Sequence, residues 1–173
     1  MIKLTEIIKD NDNLRTLKKA GAAAKKAATQ LLGKAGLESP EFFVIKIKEM
    51  PKYGMNWVAS YRTHTIMNGR PIFWLNVHLP EIIKTAAPGE NIVRVMTDSI
   101  IHEWWHAISE AFRIHQFRQV PLKTKVSFQP DQKEEDMAEK FIAYCGGDTW
   151  GDVSSKEAKY FEGAIQEFNS LWR

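Results

Sequence analysis

NIVRVMTDSIIHEWWHAISEAFRI, residues 91–114, is the stretch on which the reading of this chain turns. On a helical wheel Val93, Ile100, Trp104, Ile108 and Ala111 gather on one side, and Ser99, His102, Glu103, His106, Ser109, Glu110 and Arg113 on the other. That division predicts an amphipathic helix whose first set faces the core and whose second set faces a cleft or solvent. His102 and His106 are four positions apart, so they lie one turn from each other on one face and can both offer a ring nitrogen to a single tetrahedral metal. Glu103 flanks that site.

A catalytic zinc has three protein ligands and keeps its fourth position for water, so a further ligand must come from elsewhere. The metzincin arrangement is excluded, because Phe112 stands where it needs a third histidine. His115 lies too far along the same helix to fold back unless the helix breaks near Arg113. The next predicted helix, DQKEEDMAEKF at 131–141, is the better source. Asp131 and Glu134 have capping-box spacing, which commits Glu134 to the backbone and leaves Glu135 as the metal ligand, with Glu139 and His115 in reserve. Glu139 sits one turn after Glu135, where it can hydrogen-bond a ligand histidine and fix its tautomer.

Working outward, residues 12–35 form a predicted basic helix, with Leu14, Leu17, Gly21, Ala24, Ala28 and Leu31 as its packing stripe and Lys18, Lys19, Lys25 and Lys26 off it. Gly36 to Pro40 break it. Residues 41–80 read as a sheet region: a strand in Phe42–Lys48, then strands in Met55–Met67 and Ile72–Leu79 joined through the hairpin dipeptide Asn68-Gly69. Residues 91–173 read as helical and carry the metal site, with helices at 91–114, 131–145 and 155–172, a loop at 116–130 and a stop at Gly146-Gly147. In the last helix Ser154 and Glu157 have capping-box spacing ahead of a buried stripe of Ala158, Phe161, Ile165, Phe168 and Trp172.

Bulk properties narrow the class. A chain of 173 residues, 44% hydrophobic and 26% charged, suits one soluble globular domain spanning 1–173. A net charge of +3 is too small to imply nucleic-acid or membrane binding by overall field, which leaves the lysine-rich helix as the one local basic cluster. Cys145 has no cysteine partner and reads as a small buried hydrophobe, the opening MIKLTEIIKDNDN has no continuous apolar run, and no stretch is long enough to cross a bilayer. The expected location is cytoplasmic, with no membrane partner.

HEWWH at 102–106 followed by Glu135-Asp136-Met137-Ala138-Glu139-Lys140-Phe141 resembles a gluzincin and, more narrowly, the ImmA/IrrE-like metallopeptidases. The sequence departs from that family where Glu139 replaces its usual asparagine, Ile142 its usual alanine, and tryptophans fill the variable positions of the histidine motif. The resemblance implies one zinc ion per chain held by His102, His106 and Glu135, with Glu103 as catalytic base. It also implies an α+β, minimal zincin-like fold: a small, mainly antiparallel sheet packed on the active-site helix, with further helices at both ends and an edge strand able to pair with an extended peptide.

The function this points to is a zinc-dependent metallopeptidase that hydrolyses peptide bonds with a zinc-activated water and Glu103 as general base, acting on a peptide or protein substrate. Hydrolysis of other amides is compatible with the same motif. Tyr144, His64, His78 and Arg113 are the available groups for stabilising an oxyanion, each with an ordinary structural role as its alternative. Trp104 belongs to the core, and Trp105 to the core or to a pocket wall. The competing function is a catalytically silent zincin-fold module that docks nucleic acid or an acidic protein through the basic N-terminal helix. Sequence leaves the oligomeric state open.

Overall fold

The long central helix starts where Asn91 caps it: its side-chain oxygen accepts the Val93 N–H at 3.1 Å. The structure, a computed structural model, describes residues 13–41, 43–48, 59–67, 70–78, 91–117, 132–147, 149 and 152–170. In chain order the described elements are helix α1 (Asn13–Lys34), strands β1 (Phe43–Lys48), β2 (Ala59–Met67) and β3 (Arg70–His78), then helices α2 (Ile92–Phe117), α3 (Gln132–Tyr144) and α4 (Ser155–Ser170).

One continuous cluster of buried side chains joins the four helices. Helix α1 supplies Leu17, Ala20, Ala24, Ala28 and Leu32, and the alanines, four residues apart, let α2 approach closely. Helix α2 supplies Ile92, Met96, Ile100, Ile101, Trp104, Trp105 and Ile108, a wider apolar face than the wheel predicts. Both tryptophans are core. Trp105 lies edge-on to Phe161 at 5.0 Å and against Phe141 at 5.2 Å, and Trp104 lies edge-on to Phe168 at 6.1 Å.

Helices α1 and α3 end alike. Leu37 N–H donates to the Leu32 carbonyl and Gly36 N–H to Gly33, while Gly147 N–H donates to Ile142 and Gly146 N–H to Ala143. Gly36 and Gly146 hold φ of 100° and 86°, the left-handed position that glycine takes without steric cost. At α4 the expected capping box forms: Glu157 N–H donates to Ser154 Oγ at 3.3 Å and Ser154 N–H to Glu157 Oε2 at 2.9 Å. Phe161, Ala164, Ile165 and Phe168 face the core, while Trp172 lies outside the described residues.

The expected α+β fold with a small, mainly antiparallel sheet is overturned. Among the residues whose side chains are described, 81% are helical, in four helices and no strand. The buried cluster is built from helices and their caps, and the strands lie against Asn13–Lys34 and Ile92–Phe117. The three strands form a backbone ladder in the order β1-β3-β2, in which β2 runs antiparallel to β3 but β1 runs parallel to it. A hairpin signal specifies only the local antiparallel pair; a strand added to the far side of β3 runs parallel through a crossover, which no dipeptide announces. The Asn68-Gly69 turn, the Asp131 cap and residues 118–130 of the loop expected at 116–130 lie outside the described residues, while Gln116 and Phe117 continue α2 rather than the loop.

Candidate metal centre

Helices α2 and α3 meet in an antiparallel register. His102 is paired with Glu139 and His106 with Glu134, so the partner on α3 moves back toward its N-terminus as the histidine moves forward along α2. Four residues of α2 rise about 6 Å and five residues of α3 about 7.5 Å, a match close enough for both pairs to form at once. Glu135 stands inside this frame and reaches both rings.

The two Nε2 atoms converge. His106 Nε2 is 3.1 Å from His102 Nε2, His102 Nε2 is 3.2 Å from Glu135 Oε2, and His106 Nε2 is 3.3 Å from Glu135 Oε1. The rings are inclined at 64° with centroids 4.9 Å apart. For metal–ligand bonds near 2.0–2.1 Å, the edge of a tetrahedron is about 3.3 Å, so these separations suit ligand atoms around one tetrahedral metal ion. His102, His106 and Glu135 are the His, Cys, Asp or Glu group able to hold a metal among the described residues.

The outward nitrogens are committed to carboxylates. His102 Nδ1–H donates to Glu139 Oε1 at 3.0 Å and His106 Nδ1–H to Glu134 Oε1 at 3.2 Å. Each bond holds its ring as the Nδ1–H tautomer, which leaves Nε2 for a metal. Glu139 is steadied in turn by Thr149, whose hydroxyl donates to Oε2 at 3.5 Å.

No family model, curated protein or solved structure matches the chain. The likeness to gluzincins therefore rests on the residues and on this geometry.

The electrostatics favour a cation. Burial draws His102 down, but hydrogen bonds with Glu135 and Glu139 and the charges of Glu103 and Glu135 outweigh it and push the imidazole up to about 9. The hydrogen bond from His102 holds Glu135 below the ordinary carboxylate range against a burial cost, with the charges of His106 and His102 adding to it. Glu139 is lowered for the same leading reason. Without metal, His102 keeps a proton that a divalent ion would replace.

Glu103 is buried, at 7% exposure, next to the first histidine on the helix and within its electrostatic reach. It is absent from the group of converging ligand atoms. Ser109, placed by the wheel on the wet face, is buried at 3%.

Glu134 has a partner that sequence reasoning did not name. Capping-box spacing gave it to the backbone at Asp131, which lies outside the described residues; its Oε1 meets His106 Nδ1. The spacing Glu134, Glu135, Glu139 held the signal, since two carboxylates flank the ligand along one helix, but reading it requires the register with α2.

The reserve ligand His115 and the candidates His64, His78 and Arg113 have side chains outside the described residues. His64 falls at the irregularity between Thr63 and Thr65 in the β2–β3 ladder. Tyr144 lies away from the metal group, stacked on Phe141 and lining a surface cleft with Lys34, Gly36, Cys145 and Glu162. Burial pushes the Cys145 thiol up to about 12, which leaves it unreactive at neutral pH.

Proposed function

We propose that the chain is a zinc-dependent metallopeptidase with one zinc ion per chain, held by His102, His106 and Glu135. The observation that carries this reading is the convergence of the two Nε2 atoms and the Glu135 carboxylate at 3.1–3.3 Å while both Nδ1 atoms are tied to carboxylates. Surface histidines that happen to share a helix face have no reason to turn the same nitrogen inward and bind an acidic partner with the other.

A zinc ion held by His102, His106 and Glu135 would supply Lewis acidity and lower the pKa of a bound water. Glu103, buried beside His102, would take a proton from the attacking water and return it to the leaving amine. Glu139 and Glu134 keep the imidazoles in one tautomer throughout. The substrate is a peptide or protein. A cytoplasmic location is proposed with it; among the described residues no helix is long and apolar enough to cross a membrane.

The test is metal content after dialysis against a weak chelator, for the parent and for the His106→Ala and Glu135→Ala variants. One zinc per chain in the parent and none in either variant supports the reading; a parent without zinc ends it.

The second reading, a silent binding module, draws on the exposed Lys18, Lys19 and Lys26 of α1. Lys25 is half-buried, and burial lowers its pKa against the opposing charge of Glu41. This reading requires binding to a polyanion that falls steeply with salt and is unchanged by Glu103→Gln.

A further inference from the structure

Three carboxylates of α3 surround the two histidines, and they differ in exposure. The Glu135 and Glu139 side chains are 58% and 52% exposed, whereas Glu134 is 22% exposed. A first-turn glutamate that served only the helix dipole would gain nothing from burial and would stay in water. Glu134 instead turns onto His106 Nδ1 at 3.2 Å, and it acts on a second half-buried ring: burial, followed by the charge of Glu134, pushes the Tyr160 phenol up to about 12. Tyr160 packs on Trp105, in the helical turn that carries His106.

We propose that Glu134 is the positioning residue of His106: its carboxylate accepts the Nδ1–H, holds the ring in a single tautomer and aims Nε2 at the atom shared with His102 and Glu135. The inference rests on the metallopeptidase reading for its consequence, but the positioning itself is a property of the metal-free protein. Glu134 then plays for the second histidine the part that Glu139 plays for the first, so the histidine pair is clamped at two points along α3, with Glu135 between. A hydrogen bond in the less exposed position is the less screened by water, which makes the His106 clamp the stiffer of the two. Loss of such an outer carboxylate weakens metal binding about 10–100-fold while the ligands remain.

The experiment is ¹⁵N imidazole NMR of His106 in metal-free protein, paired with zinc titration against a competing chelator dye, for the parent, Glu134→Gln and Glu134→Ala. The expected result is a pure Nδ1–H tautomer in the parent, a mixed tautomer in Glu134→Ala with zinc affinity down about 10–100-fold, and an intermediate effect for Glu134→Gln, which keeps an acceptor without the charge. Glu134→Gln has the same shape as the parent side chain and serves if the alanine variant does not fold. An unchanged tautomer and unchanged affinity in both variants would overturn the proposal and leave the metal centre standing. A parent whose His106 tautomer depends on Glu134 but which takes no zinc would uphold the positioning role and overturn the metallopeptidase reading.

Discussion

His102 Nε2 lies 3.1 Å from His106 Nε2, although two such nitrogens bearing only lone pairs repel each other. Hydrogen bonds with Glu135 and Glu139 and the charges of Glu103 and Glu135 push His102 up to about 9 against the cost of burial; a metal would take the place of the proton so retained. If zinc fills this site as proposed, it should stabilise the folded chain by mass action, by about 2.7 kcal/mol at a free zinc concentration 100 times Kd. Differential scanning calorimetry with and without zinc should show the rise in Tm for the parent and none for Glu135→Ala.

Glu103→Gln separates chemistry from metal binding. The amide occupies the same volume and cannot accept a proton, so zinc content should match the parent while peptide hydrolysis falls by about 10²–10⁴-fold. Elemental analysis beside a peptide cleavage assay reads both. Undiminished hydrolysis would remove Glu103 from the base role.

Trp105 is 1% exposed and packs on Phe141, Tyr160 and Phe161 from the helical turn between the two histidines. Trp105→Ala empties that space and should cost about 3–5 kcal/mol in urea unfolding. Because the same packing seats α2 against α3 and α4, zinc affinity should weaken as well.

Gly147 follows the left-handed Gly146 and sits tight against α2. A Cβ there would lie 2.5 Å from Ile142 Cγ2, 2.7 Å from Asp98 Oδ1 and 3.1 Å from the Ile142 carbonyl oxygen. The Asp98 side chain can swing away; the backbone oxygen cannot. Gly147→Ala should destabilise by about 1–3 kcal/mol through overpacking, measured by the urea midpoint, whereas Gly33→Ala, with its nearest neighbour at 3.9 Å, should not.

Glu157 is held at about 2 by Lys140 and by the backbone and hydroxyl of Ser154. Its folded value is below its unfolded one, so its contribution is present above about 4.5 and is lost as pH falls toward about 2. The stability gap between the parent and Glu157→Gln should therefore narrow across that window in denaturant titrations. A gap that stays constant with pH would mean the carboxylate charge contributes nothing.

The four-residue interval of His102 and His106, the adjacent Glu103, the glycine stops and the Ser154–Glu157 box were all legible in sequence, because each depends on neighbours within one or two turns of one helix. Glu135 and Glu139 were legible as carboxylates that meet the histidine pair once α3 was read as a helix. The parallel addition of β1 to β3, the choice of core over pocket wall for Trp105 and the use of Glu134 on His106 were not. Each depends on which surfaces meet: the strand order, the crowding of α2 by three helices, and an antiparallel register that brings residue 134 opposite residue 106. Local chemistry determined which side chains can bind a metal; tertiary packing alone decided which nitrogen of each ring faces inward, since only the neighbouring helix supplies the carboxylate that holds the other.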